Sequence, residues 1–68
     1  MPDTIRHRVQ QIIDSFWREH GQQSFATTRD HVFREYLRNY PAASDDMWDR
    51  YLRNEVMRAV QGILEDMT

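Results

Sequence analysis

Three neighbouring carboxylates form the densest set of potential ligands in the sequence, at Asp45, Asp46 and Asp49 in the stretch DDMWD. On a helix, Asp45 and Asp49 would lie on one face, because residues four apart are neighbours there. Carboxylate oxygens are the ligands that Mg²⁺ and other hard cations prefer in proteins. The spacing would therefore suit a bridging divalent cation.

This stretch resembles the DDxxD motif with which prenyl-transferring enzymes bind magnesium diphosphate. Such enzymes require a deep helical cavity, and a chain of 68 residues does not enclose one. The simpler interpretation is an acidic first helical turn that complements the helix dipole. We therefore predict no metal site, no cofactor and no enzymatic activity here.

The other residues with reactive side chains are too scattered to form a site. His7, His20 and His31 have neither the i, i+3 nor the i, i+4 spacing of helical metal ligands, and the chain contains no cysteine. We find neither a nucleophilic serine elbow nor a glycine-rich phosphate loop in the sequence. Catalysis is the function class that the sequence supports least.

A second set of polar residues could bind nucleic acid. Arginine, asparagine and glutamine can read base edges through paired hydrogen bonds, and helical spacing would place four of them on one exposed side of a third helix: Arg50, Asn54, Arg58 and Gln61. The stretch SFATTRDHVFREYL, followed by a turn and another helix, resembles the entry into helix-turn-helix domains. A DNA-binding, helix-turn-helix-like transcriptional regulator is therefore one hypothesis.

Charge and turn length weaken that hypothesis. The formal net charge is −2, whereas domains that hold nucleic acid usually carry a basic excess. Asp45, Asp46 and Asp49 would crowd the N-terminal end of the reading helix, facing phosphates of the same sign. The turn between Tyr40 and Ser44 is also longer than the usual three or four residues.

The preferred hypothesis is a protein-interaction module. Aromatic residues and methionine are enriched at the cores of protein interfaces. Four such residues flank the apolar stripe of the third helix: Met47, Tyr51, Met57 and Met67. In a monomer the same residues could simply cover the ends of an ordinary bundle. We predict a small non-catalytic regulatory or adaptor protein that binds another protein or, more specifically, associates with itself as a homodimer.

Periodicity and capping residues predict an all-α, compact three-helix domain that covers residues 1–68, with helices at about 4–20, 28–40 and 45–66. Asp3 or Thr4 would cap the first helix and Gly21 would end it. Thr27 and Asp30 have the spacing of a capping box for the second helix. Ser44 is the predicted N-cap of the long third helix.

The predicted core consists of one apolar stripe from each helix: Ile5, Val9, Ile12, Ile13, Phe16 and Trp17; Val32, Phe33, Tyr36, Leu37 and Tyr40; Trp48, Leu52, Val56, Ala59, Val60, Ile63 and Leu64. The C-terminal half of the third helix should either extend past its partners or pack against a second chain. Gly62 could permit a close helix approach there.

The tetrapeptide YLRN occurs twice, at residues 36–39 and 51–54. The repeat could reflect residue preferences that the two helices share, or it could be a trace of duplication.

All nine basic residues are arginines, and four of them follow an aspartate by four residues, which predicts helix-stabilising ion pairs: Asp14–Arg18, Asp30–Arg34, Asp46–Arg50 and Asp49–Arg53.

The N-terminal residues carry no basic lead into an apolar run, and no apolar stretch exceeds two residues. We therefore expect neither a signal peptide nor a membrane span, and a cytoplasmic location.

Overall fold

Three helices make up most of the described part of the chain, residues 4–67 of the computed structural model. Helix α1 spans Thr4–His20 and α2 spans Phe25–Asn39. Helix α3 is continuous but has three segments, Asp45–Met47, Trp48–Leu52 and Arg53–Met67, of which the middle one is π-helical. The prediction of an all-α three-helix domain with a long C-terminal helix is confirmed.

The end of α1 lies where the sequence predicts it. Gly21 adopts a φ of +80°, a left-handed conformation that favours glycine. Its N–H donates to the carbonyl of Trp17 at 2.8 Å, and the Gln23 side chain donates to the carbonyl of His20 at 3.0 Å. The candidate cap at Asp3 lies outside the described residues.

The predicted start of α2 is wrong. Ser24, not Thr27, is the N-cap: its Oγ accepts the N–H of Thr27 at 3.2 Å and its carbonyl accepts the N–H of Thr28 at 2.9 Å. Helix α2 therefore begins at Phe25. Ser24 competes as an N-cap one turn earlier, with an equal or better capping preference than threonine. The hydroxyl of Thr28 is buried and accepts a hydrogen bond from Trp17 Nε1 at 3.1 Å.

The connection between α2 and α3 has the predicted limits. Helix α2 ends at Asn39, two residues before Pro41, and Tyr40 is its C-cap. The Oγ of Ser44 accepts the N–H of Met47 at 3.1 Å, so the predicted cap of α3 is confirmed.

A π-helical turn widens α3 near its start. The N–H of Arg53 donates to the carbonyl of Trp48, five residues earlier. Trp48, Leu52 and Val56 are spaced four apart, and each such step overshoots a full α-helical turn by about 40°. A wider turn takes more residues per revolution. It therefore keeps Trp48 and Leu52, both half-buried, on the side of α3 where Val56 is fully buried.

Nine buried apolar residues from all three helices form the core: Val9, Ile12, Ile13, Val32, Tyr36, Val56, Ala59, Val60 and Ile63. Every one of them belongs to the predicted stripes. Half-buried aromatic rings extend the core, with Trp48 packed edge-on to Phe33 and stacked on Tyr36. The radius of gyration is 11.6 Å, close to the value of about 11 Å for a compact domain of this length.

The C-terminal half of α3 packs on α1 of the same chain, an arrangement that neither sequence alternative included. Ile63 is 2 % exposed, and Arg6 Nη2 lies 2.7 Å from Asp66 Oδ2. A Cβ atom on Gly62 would lie 3.2 Å from Arg6 Nη1. The group that approaches Gly62 is thus an arginine side chain, and the suggested close approach of another helix is not tested by this contact.

The four predicted aspartate–arginine pairs do not form within residues 4–67. Aspartate lacks one methylene of glutamate and reaches less far along a helix, and the π-helical turn alters the spacing around Asp46 and Asp49. Asp14 Oδ1 instead accepts a hydrogen bond from Gln10 Nε2 at 2.9 Å. The helical arginines that pair with an acid three residues away do so with glutamate: Arg38 with Glu35 at 4.0 Å and Arg58 with Glu55 at 3.5 Å.

Candidate interaction surface

Large apolar side chains remain exposed at several places on the described surface. All four residues predicted for protein interaction are among them, with exposed fractions of 47 % for Met47, 60 % for Tyr51, 39 % for Met57 and 48 % for Met67. Phe25 is also 41 % exposed. Phe25 precedes the predicted start of the second helix, but it is the first residue of α2 because Ser24 is the cap.

Phe25 and two α3 residues build the centre of a long apolar depression. Phe25, Met57 and Leu64, with Gln61 and Glu65 beside them, line a groove of about 540 Å³. Met57 is shared with a groove of about 270 Å³ towards the start of α3. Phe25 and Leu64 are shared with a groove of about 250 Å³ that includes Met67. We call these three adjoining grooves, between α2 and α3, the α2–α3 trough.

The two ends of the α2–α3 trough differ in charge. Arg29 and Arg53 line the end nearer the start of α3, and Asp30, also at this end, lies 3.3 Å from Arg29. Glu65 lies further along α3 and lines the central groove. Its Oε1 accepts a hydrogen bond from Gln61 Nε2 at 3.4 Å. We call the first of these the basic end and the Glu65 side of the central groove the acidic end; the groove beyond it, which includes Met67, is lined by no charged residue. The apolar centre therefore lies between an arginine pair and a carboxylate.

The structure brings together only half of the predicted interaction residues. Met57 and Met67 line the α2–α3 trough, together with Phe25 and Leu64. Met47 and Tyr51 lie at the start of α3 and line none of the three grooves of the α2–α3 trough. A Ser24 cap was the signal in the sequence that could have placed Phe25 at this surface.

The four residues predicted to read DNA are all exposed on α3, but they do not form one free face. Arg58 pairs with Glu55, and Gln61 contacts Glu65. Asn54 lines the basic end of the α2–α3 trough and Gln61 lines its centre. This side of α3 therefore carries both positive and negative charges, and the amide side chains of Asn54 and Gln61 line the α2–α3 trough.

A second, polar groove of about 330 Å³ lies between α1 and α2. Arg8 closes one side: its Nη1 donates to the Tyr36 hydroxyl at 3.3 Å and its guanidinium lies 4.1 Å above the Tyr40 ring. His31 also lines this groove and stacks on Phe16, with ring centroids 3.9 Å apart. Burial lowers the pKa of His31, because a charged imidazole is less well solvated there.

The described residues form neither a candidate metal-binding group nor a helix that could span a membrane. Residues 4–67 contain no group of three or more histidine or carboxylate side chains arranged to hold a metal ion. Asp45, Asp46 and Asp49 are all exposed in the first turns of α3. In the same part of the chain, no helix combines the length and the apolar character needed to cross a bilayer.

Comparison of the chain with protein-family models, with curated proteins and with solved structures finds no match.

Proposed function

We propose that the protein is a small, non-catalytic, cytoplasmic adaptor or regulatory module that binds other protein surfaces through the α2–α3 trough and associates with itself. The observation that carries this proposal is the continuity of the trough. Phe25, Met57, Leu64 and Met67 line adjoining grooves, and three of these four side chains are among the most exposed large apolar residues described.

The physical argument rests on the free energy of apolar burial. Covering apolar surface contributes about 25 cal/mol for each Å² removed from water, so a contiguous trough offers more than scattered residues do. Methionine and aromatic side chains suit this role because methionine adapts its shape and rings contribute large contact areas. A domain of this size also has a small core, which association with a second copy would supplement.

A pair of matched methionine variants tests this proposal. Met57→Glu would place a charge in the centre of the trough, whereas Met47→Glu alters a similarly exposed methionine outside it. We expect Met57→Glu to raise the dimer dissociation constant at least about tenfold, because burying an unpaired carboxylate is costly. Met47→Glu should leave that constant nearly unchanged.

Light scattering across a concentration series gives the dissociation constant of each variant, and circular dichroism verifies that both remain helical. Equal dissociation constants for the two variants would contradict the assignment of the trough as the binding surface.

DNA binding through α3 is the second candidate, because Arg50, Asn54, Arg58 and Gln61 are exposed and chemically able to contact bases. The carboxylates that contact Arg58 and Gln61 weigh against it, as does the net charge of −2. A gel-shift titration with random duplex DNA at about 50 mM salt separates the two candidates, since nonspecific binding is strongest at low salt. A salt-sensitive shift would favour DNA binding, and no shift would eliminate it.

A further inference from the structure

Along the side of α3 that lines the α2–α3 trough, two residues of opposite charge flank a methionine and a glutamine. Arg53, Met57, Gln61 and Glu65 are spaced four residues apart and form one ridge. The ridge begins with a cation, ends with an anion and has an amphipathic centre. All four of its residues are exposed.

This order of side chains is complementary to the same order running in the opposite direction. When the ridge is placed against an antiparallel copy of itself, position 53 lies opposite position 65, and position 57 lies opposite position 61. Each arginine then faces a glutamate, and each methionine packs beside the aliphatic part of a glutamine. In a parallel arrangement, Arg53 would face a second Arg53 and Glu65 a second Glu65, which like-charge repulsion disfavours.

We infer that the occupant of the α2–α3 trough is a second copy of this chain, docked antiparallel about a two-fold axis that crosses α3 between Met57 and Gln61. The inference rests on the proposed self-association and adds its geometry. Arg53 of each chain contacts Glu65 of the partner subunit, so the same pair forms twice, as a two-fold interface requires.

The groove residues on α2 fit the same arrangement. Phe25 borders the central groove, and Arg29 stands beside Arg53 at the basic end, with its guanidinium 5.8 Å from the Phe25 ring centroid. In the antiparallel dimer, the two arginines of the basic end therefore approach the acidic end of the partner. The apolar centre, with Phe25, Met57 and Leu64, is enclosed between these charged ends, which resembles the core and rim of a protein interface.

A charge-exchange experiment tests this register. Arg53→Glu and Glu65→Arg are each expected to raise the dimer dissociation constant about tenfold, because each replaces two attractive contacts by two repulsive ones. The double variant Arg53→Glu/Glu65→Arg should return to within about threefold of the wild-type constant. Arg18→Glu, at an exposed position of α1 that lines none of the three grooves, is the control for a simple change in net charge and should have little effect.

The dissociation constants are measured by analytical ultracentrifugation of the full chain at low salt, where charge contacts are least screened. Recovery in the double variant supports the antiparallel register. If both single variants behave like Arg18→Glu, or if the double variant is weaker than both, the register is overturned. Self-association through the trough would still stand if Met57→Glu weakened the dimer. A wild-type protein that remains monomeric would overturn the proposed self-association itself.

Discussion

His31 illustrates how one half-buried ring couples stability to pH. Its imidazole lies flat on Phe16, with an angle of 9° between the rings, and faces the α1–α2 groove. Burial is the largest cause that lowers the pKa of His31 below its ordinary value of 6.5. The neighbouring charges act in both directions: Glu35 and Glu19 raise this pKa, whereas Arg34 and His20 lower it.

The sign of the resulting pH dependence follows from proton binding. Because its pKa is lower in the folded state, His31 binds fewer protons when folded than when unfolded at mildly acidic pH. The free energy of unfolding must then rise with pH in that range. The contribution of His31 is complete above the unfolded-state pKa and is lost as the pH falls through the acidic range.

Replacing His31 by phenylalanine should therefore reduce the loss of stability on acidification. His31→Phe keeps a ring against Phe16 but removes the titrating group. Urea unfolding between about pH 7 and pH 5, where unperturbed histidine titrates, should give a smaller fall in the free energy of unfolding for the variant than for the wild type. His7→Gln, at an exposed position of α1, serves as the control and should keep the wild-type pH dependence. Identical pH profiles for His31→Phe and wild type would contradict this account.

At the scale of the element, the N-cap of α2 determines what the helix exposes. Ser24 satisfies the N–H of Thr27 and thereby places Phe25 at the first helical position, beside the α2–α3 trough. A cap at Thr27 would leave Phe25 in the connection. The start of α2 is therefore a structural determinant of the candidate interaction surface.

Alanine substitution distinguishes the observed cap from the one suggested by the capping-box spacing. Ser24→Ala should lower the free energy of unfolding by about 1 kcal/mol, the usual effect of removing a serine N-cap. Thr27→Ala should have little effect, since Thr27 is an exposed residue within the helix and alanine has the higher helix propensity. Thermal or urea unfolding measures both. A larger loss for Thr27→Ala than for Ser24→Ala would contradict the observed cap.

The helices differ in how much of their structure could be predicted from the sequence. Helix α1 has a regular apolar stripe and a glycine stop, so its C-terminal end and its buried face could be predicted. Helix α2 offered two capping residues within one turn, Ser24 and Thr27, and local preference does not rank them decisively. Tertiary contacts, including the bond between Trp17 and the buried Thr28 hydroxyl, accompany the earlier start.

The repeated letters YLRN show the limit of local reasoning within α3. Tyr36 is 2 % exposed and belongs to the core, whereas Tyr51 is 60 % exposed. Both leucines are half-buried, so only part of the shared pattern has the same role. Tyr51 lies in the π-helical turn, which no local spacing rule predicted, because the wider turn accompanies packing of Trp48 onto Phe33 and Tyr36 of α2.

At the scale of the whole molecule, the core could be predicted more completely than the candidate site. The buried apolar residues all lie on regular apolar stripes, and periodicity is sufficient to identify them. The α2–α3 trough instead depends on how the first turn of α2 lies beside the second half of α3. That relation joins Phe25 to Leu64 across the fold, and no spacing within either helix encodes it.

The mass of the wild-type protein in solution tests the central claim most directly. Light scattering over a dilution series should give a mass near twice 8.3 kDa at micromolar concentration and above, falling towards 8.3 kDa as the dimer dissociates. The account predicts this concentration dependence because the α2–α3 trough is covered in the dimer and exposed in the monomer. A mass of 8.3 kDa at every concentration would contradict it.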